Sequence, residues 1–394
     1  MNTLNGGLAI GAAIVAGLLL SAPAQAQTAS AENAAASKLT KRLVGDYGYW
    51  SKYQSPPYAA AQIPYSKLTH INHAGVSLIL NSDGTAVILS VPQGFLEPAL
   101  LKKAHKAGVK VLLLLGGDFT VLAAPGLMDL AVGEIHYFVL QYGYDGVDID
   151  WEYPESSQDR KTFLDLMTAL RAELPHPQYT LSADIPPWGG SFYDLRGVEP
   201  MIDYYNIMMY DCAGPWTDDA QLNSPIFWDY RDPQPYECEP GGSAQQAIQI
   251  FVDDNKISRA KLNMGTPFYG YYYTNVKQLF GVCPNAAHTS DGNCDNAVLT
   301  ENYGTFIKQR INHLGWETFY DPIALVPYML RTDGKAGFIT YDDYVSTYYR
   351  TWYSDWAQGL GGTFMWSLDA DYDGHSQDLL EAEYTGSLNP KPSE

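Results

Sequence analysis

The stretch GYDGVDIDWEYP, Gly143–Pro154, crowds four acids, Asp145, Asp148, Asp150 and Glu152, into eight positions. The residues between them, Val147, Ile149 and Trp151, have the character of a buried strand. A strand turns successive side chains to opposite faces. Asp148, Asp150 and Glu152 therefore share one face, and Val147, Ile149 and Trp151 share the other. Same-face neighbours rise by ~6.6 Å, which puts Glu152 nearest the strand's C-terminal end. A solvated acidic face does not suit this register. Carboxylates so placed are costly to bury unless they are paired, protonated or put to use.

Seven other strand-like runs flank this one: 42–50 (RLVGDYGYW), 69–80, 108–117, 179–186, 204–211, 261–270 and 359–369. The run 108–117, GVKVLLLLGG, is almost continuously apolar, as in a parallel strand covered on both sides. Amphipathic helical patterns lie between runs, including 97–108, 160–174 and 244–254. Eight strand–helix alternations predict an α/β fold of the (β/α)8 TIM-barrel class spanning 42–385, with 386–394 as a tail. In such a barrel the apolar face meets the helices and the acids point inward, with Glu152 toward the mouth where barrel enzymes keep their chemistry. The segment from about 271 to 340 holds tyrosine runs, turns and two cysteines. It predicts a small α+β insertion beside the barrel mouth, between the seventh and eighth strands.

The totals narrow the ligand. The chain has 394 residues, a formal net charge of -20, 46% hydrophobic and 17% charged residues. That is a globular chain with ample core and not a disordered acidic polymer. It lacks the basic footprint that nucleic acid or an anionic membrane surface requires. A neutral ligand is compatible, and 30 Tyr with 9 Trp suggest a surface on which sugars stack. The apolar stretch 7–20 followed by SAPAQA, with Ala24 and Ala26 at a cleavage pattern, predicts a secretory signal over 1–26. Residues 27–41 read as a flexible leader, and the product as extracellular or periplasmic. Cys212, Cys238, Cys283 and Cys294 suit an exported chain. Of three pairings, Cys212–Cys238 and Cys283–Cys294 are favoured because each closes a local loop. A zinc site lacks support, since no C-x-x-C pair or His cluster accompanies them. His70 and His73 lie in a strand pattern without matching acids and read as packing residues. No phosphate-cradling Gly loop occurs, and neither metal nor cofactor is expected.

DGVDIDWE (145–152) resembles the D-x-x-D-x-D-x-E signature of glycoside hydrolase family 18, the chitinase family, at all four acids. KLTHIN (67–72) is similar to the family's second-strand motif and LLLLGG (112–117) to its third. IMMYD (207–211), GTPFYG (265–270) and GGTFMWSLDAD (361–371) resemble those of the sixth, seventh and last strands. The resemblance implies that Glu152 is the general acid and that Asp150 bonds the N–H of the substrate's 2-acetamido group. It implies that Asp148 shares a proton with Asp150 from below, and that Tyr210 holds the acetamido oxygen. Asp145 is expected to be structural. Trp366 would floor the pocket, with Met208 and Asp211 lining it. Tyr153, Trp216, Tyr47 and Tyr269 are further substrate-binding candidates. The implied reaction is retaining and substrate-assisted, through an oxazolinium ion.

Some positions depart from the family pattern. Asp46 stands where Tyr is common after the first-strand Gly, and Leu114 where Ser is common, so the usual hydroxyl support of Asp148 is missing. Asp46 is expected to approach Asp148 and raise the group's proton affinity. Asp118 and Tyr271 stand where Trp and Arg are frequent. The sequence thus predicts a monomeric, secreted chitinase acting on chitin or N-acetylglucosamine oligosaccharides, without nucleic-acid or membrane partners. An endo-β-N-acetylglucosaminidase, a peptidoglycan hydrolase and a non-catalytic chitin-binding lectin are the alternatives. Lectins of the family commonly lose the acid at the position of Glu152.

Overall fold

The computed structural model describes residues 39–231, 242–283, 294 and 298–390. The expected signal segment, most of the leader and Cys238 lie outside the described residues. Eight parallel strands form the core: β1 (Arg42–Gly48), β2 (His70–Leu80), β3 (Lys110–Gly116), β4 (Gly146–Asp150), β5 (Thr180–Ile185), β6 (Tyr204–Ile207), β7 (Leu262–Pro267) and β8 (Gly362–Trp366). Each pairs with its successor, and β8 closes on β1 with Arg42 opposite Gly362. The result is the expected (β/α)8 barrel, closed and without a free parallel edge.

Helices cover its outer wall. Pro98–Ala107 begins with Pro at its first turn and ends at Gly108 in the left-handed region, φ 78°. Ser157–Glu173 starts earlier than the expected 160 because Ser156 caps it, accepting the Asp159 N–H at 3.1 Å. The helix expected over 244–254 is α-helical for Ala244–Ile248 and continues in wider π turns to Asp254. Val147, Ile149, Leu181 and Ala183 are buried on the helix side. Trp151 packs against Phe119 and Phe163, with ring centroids 5.6 and 6.4 Å away.

Inside the barrel the layers change character with height. Val44, Leu112, Tyr204 and Phe364 form an apolar base, with the Arg42 guanidinium 4.7 Å from the Tyr204 ring centre. Polar residues lie above. Gly146, which opens β4, has φ 152°, and a Cβ there would stand 1.8 Å from the Thr180 carbonyl oxygen. Only glycine lets β4 and β5 approach so closely. Asp145 anchors this corner, accepting the Val111 N–H at 2.7 Å and facing His105 at 2.8 Å. His73 is buried between Tyr47 and Phe95 and bonds the Tyr144 hydroxyl at 2.9 Å, as a packing histidine should.

The sixth and seventh runs both end sooner in the barrel than the sequence suggested. The ladder of β6 stops at Ile207, where Met209 and Tyr210 turn their N–H groups to the carbonyls two residues back. The seventh run divides, with Leu262–Pro267 in the barrel and Tyr269–Tyr273 in a second sheet. That antiparallel sheet has the order Val298–Asn302, Tyr269–Tyr273, Phe338–Thr340, Pro327–Arg331, Trp316–Tyr320. With the short helical turns Tyr303–Ile307 and Lys308–Arg310 it forms the insertion between β7 and β8. Cys283 and Cys294 are disulfide-bonded beside it, Cα atoms 5.4 Å apart. The last helix, Asp378–Leu388, carries buried packing past 385, where the tail was expected to begin, because Gly386 and Ser387 are themselves buried.

Candidate active site

Strand register assembles the polar core. Asp46 pairs with Asn72 across β1 and β2. Asp148 on β4 is opposite Leu114 and Ser182, and Asp150 is opposite Gly116 and Asp184. Asp184 is in turn opposite Asn206, and Asn206 opposite Asn263. These side chains share the interior because they share parity along their strands.

Asp148 is fully buried and accepts three donors. Ser182 Oγ and Asn206 Nδ2 (3.4 Å) donate to Oδ1, and Asn72 Nδ2 donates to Oδ2 at 3.2 Å. The hydroxyl missing at Leu114 is thus supplied from the opposite neighbour strand. Asn72 Nδ2 also donates to Asp46 Oδ1 at 2.9 Å. On the other side Asn206 donates to Asp184 Oδ1 and Asn263 donates to Asn206, both at 2.9 Å. Arg42 Nε donates to Asn263 Oδ1 at 2.8 Å. Amides therefore carry the polar network from three carboxyls, Asp46, Asp148 and Asp184, down to one guanidinium at the barrel base.

Burial, and then the neighbouring carboxylates, hold Asp46, Asp150 and Asp184 well above the usual carboxylate range. Burial pushes Asp148 up to about 6, with the hydrogen bonds from Ser182 and Asp184 pulling the other way. Like charges at this spacing cannot all ionise, so the core retains protons at neutral pH.

Above this core lies a cavity of about 520 Å³. Asp150, Glu152, Tyr210, Met208, Asp211, Trp366, Tyr153, Trp216 and Tyr269 all line it. Asp148 lies beneath Asp150, outside the lining. Glu152 is exposed just beyond the end of β4, in contact with Asp150 and with the Tyr153 hydroxyl. Asp211, in the left-handed region at φ 61°, is held at Oδ1 by the hydroxyls of Tyr269 and of Tyr271, the latter at 2.8 Å. Tyr271 also stands edge-on to Trp216, ring centroids 5.7 Å apart. A smaller cavity of about 210 Å³ shares Asp211, Tyr269 and Trp366 and continues past Thr300 and Asn302, so the insertion lengthens the cleft. Among the described residues no His, Cys, Asp and Glu group has the arrangement to hold a metal ion.

Tyr47 must be corrected. It is fully buried on the outward face of β1, donates to Glu97 Oε2 at 2.8 Å and stacks on His73. Alternation that turns Asp46 inward turns Tyr47 toward the helices, away from the cavity. Four lining residues were not anticipated: Asp184, Pro186, Pro187 and Trp188. The polar alternation Ser182, Asp184 in SADIPPW was the available signal, and it repeats on β5 the pattern of β4.

The family profile for Glycosyl hydrolases family 18 matches residues 42–371. Chitinase A1 of Niallia circulans is 25% identical over 92% of the chain, and chitinase B of Serratia marcescens 26% identical over 83%. The chain spans 61% of the first and 78% of the second. The Group IV chitinase of Ostrinia furnacalis superposes with a TM-score of 0.75 at 22% identity, covering 89% of this chain and all of that one. With a profile match across the whole barrel and its acid ladder, the chain belongs to glycoside hydrolase family 18.

Proposed function

We propose that the protein is a secreted chitinase that cleaves β-1,4 links between N-acetylglucosamine units with retention, the substrate's own acetamido group acting as nucleophile. The observation that carries this reading is the ladder Asp148, Asp150, Glu152, which rises from a fully buried acid to an exposed one inside an aromatic-lined cavity. Glu152 protonates the glycosidic oxygen as the C1–O bond breaks. The acetamido oxygen, held by the Tyr210 hydroxyl, bonds to C1, and Asp150 accepts the acetamido N–H. The oxazolinium ion so formed is opened by water, whose proton returns to Glu152. Trp366 floors the pyranose, and Met208 lines the same pocket. A two-carboxylate mechanism needs a second free acid about 5 Å or more from the first. Asp211 is instead engaged by two phenolic hydroxyls, which supports the substrate-assisted route.

The signal-like N-terminus and the Cys283–Cys294 disulfide support export. Solved relatives named as chitinases in complex with allosamidin or a chitooligosaccharide support the sugar class. Product analysis of the mature protein on chitin, N-glycans and peptidoglycan tests the reading. N-acetylglucosamine oligomers released from chitin are expected. Cleavage confined to either other substrate, or binding of chitooligosaccharides without cleavage, overturns it.

A further inference from the structure

The reaction above gives Asp184 no task, yet Asp184 is built into its centre. It is the register partner of Asp150 on β4 and of Asn206 on β6. It is 3% exposed and lines the cavity together with Asp150, Met208 and Tyr210. Ser182, two residues earlier on the same inward face, already donates to Asp148. β5 therefore runs a second polar ladder beside the acid ladder of β4.

The groups facing Asp184 are Asp148 and Asp150 from β4, Asp46 from β1, Asn206 from β6, Tyr210 just after it, and Tyr193 from the segment following β5. None is a cation. Asp184 and Asp148 both accept from Asn206 Nδ2, at 2.9 and 3.4 Å, which brings the two carboxyls together. Two carboxyls bond each other only when one carries a proton. The donor count decides which one. Asp148 accepts from Ser182, Asn72 and Asn206, whereas the described donor to Asp184 is Asn206 alone. Donors favour the charged form, so the donor-rich Asp148 is the carboxylate and the donor-poor Asp184 the acid. One oxygen of Asp150, Oδ1, is buried without a hydrogen-bond partner, so Asp150 is not tied down from below.

The geometry points to Asp184 as a positioning residue for the proposed hydrolysis: a neutral carboxylic acid whose O–H is donated to Asp148. It keeps that carboxylate charged and satisfied, and leaves Asp150 free to face Glu152 and the substrate. This rests on the proposed function. Without that donor, Asp148 takes its missing hydrogen bond from a proton shared with Asp150, which draws Asp150 away from the cavity. Burial among carboxylates holds the proton on Asp184 in the same direction.

Two variants of the full chain separate this role from bulk packing. Asp184→Asn keeps the shape and a permanent N–H donor to Asp148, and Asp184→Leu keeps volume without a donor. Expected are a kcat within about threefold of wild type for Asp184→Asn and a loss of about 10- to 100-fold for Asp184→Leu, with KM little changed in both. Infrared difference spectra at neutral pH, taken without substrate, should show a protonated-carboxyl C=O band in wild type that Asp184→Asn loses. No band lost in that variant overturns the proposal. A folded Asp184→Asn as impaired as Asp184→Leu overturns it equally. If wild type cleaves no chitooligosaccharide, the proposed function fails, while the substrate-free band still decides whether Asp184 carries the proton.

Discussion

Asp46 and Asp148 share one side-chain amide: Asn72 Nδ2 lies 2.9 Å from Asp46 Oδ1 and 3.2 Å from Asp148 Oδ2. The two acids are thereby part of one titrating group, and the charge of each raises the proton affinity of the others. An ionised Asp46 helps that buried group retain its protons. Asp46→Asn removes that charge and keeps an oxygen for Asn72. The acid form is then lost at lower pH, so the basic limb of kcat/KM should move toward lower pH. Superimposable profiles of variant and wild type would take Asp46 out of the proton count.

Glu152→Gln should abolish turnover while leaving binding. The amide keeps the side chain's size at the cavity but cannot protonate a leaving oxygen. General acid catalysis is typically worth about 10²–10⁴-fold, and more where the leaving group needs its proton. On a chromogenic chitobioside, kcat should fall at least that far, with chitooligosaccharide affinity measured by calorimetry within a few-fold of wild type. A variant that retains a tenth of wild-type kcat would show that Glu152 is not the acid.

Tyr271 takes a role at a position where the family often carries Arg. Its hydroxyl and that of Tyr269 are both donors to Asp211 Oδ1, and burial already holds that carboxyl above its ordinary range. Tyr271→Phe removes one donor from a buried acid, at a cost of about 1–3 kcal/mol to its charged form. Asp211 then protonates at higher pH than in wild type. KM should rise several-fold, most strongly on the acid side, with kcat changed less. Steady-state kinetics over the acid limb will show it. An unchanged KM across that range contradicts a binding role for Asp211.

Much of the barrel was legible because alternation and long apolar runs are local signals. DGVDIDWE declares both its faces, and Val147, Ile149 and Trp151 fall on the helix side as read. Tyr47 was misplaced for the same reason in reverse, since its neighbour Asp46 already occupied the inward parity. Asp184 was missed because a single acid in SADIPPW gains meaning only through register, once β4 sets Asp150 beside it. The support of Asp148 was likewise invisible. Ser182, Asn72 and Asn206 come from three strands, and no spacing along the chain announces their convergence. The early end of β6 follows from backbone bonds that Met209 and Tyr210 make locally, which side-chain patterns do not encode.

Outside the active site, Glu383 links stability to pH. It is fully buried on the last helix and accepts the hydroxyls of Thr351 at 2.8 Å and Thr363 at 2.6 Å. Burial pushes it up to about 7, from about 4.3 in an unfolded chain. The folded state therefore binds this proton more tightly than the unfolded one. Its stabilising effect is complete below about pH 4.3 and is lost as pH rises through about 7, a difference of about 4 kcal/mol. Glu383→Gln cannot ionise, its Oε1 can still accept the two threonine hydroxyls, and Thr266 Oγ1, otherwise unpartnered, can accept its new N–H. The variant should match wild type in Tm near pH 4 and exceed it by a few degrees near pH 8. Activity should be unchanged, because Glu383 does not line the cavity. Asp355, also buried and pushed up to about 7, keeps part of the pH slope in both proteins. Thermal unfolding at the two pH values measures the difference, and a Tm gap that does not widen with pH would show that Glu383 is already ionised in the fold.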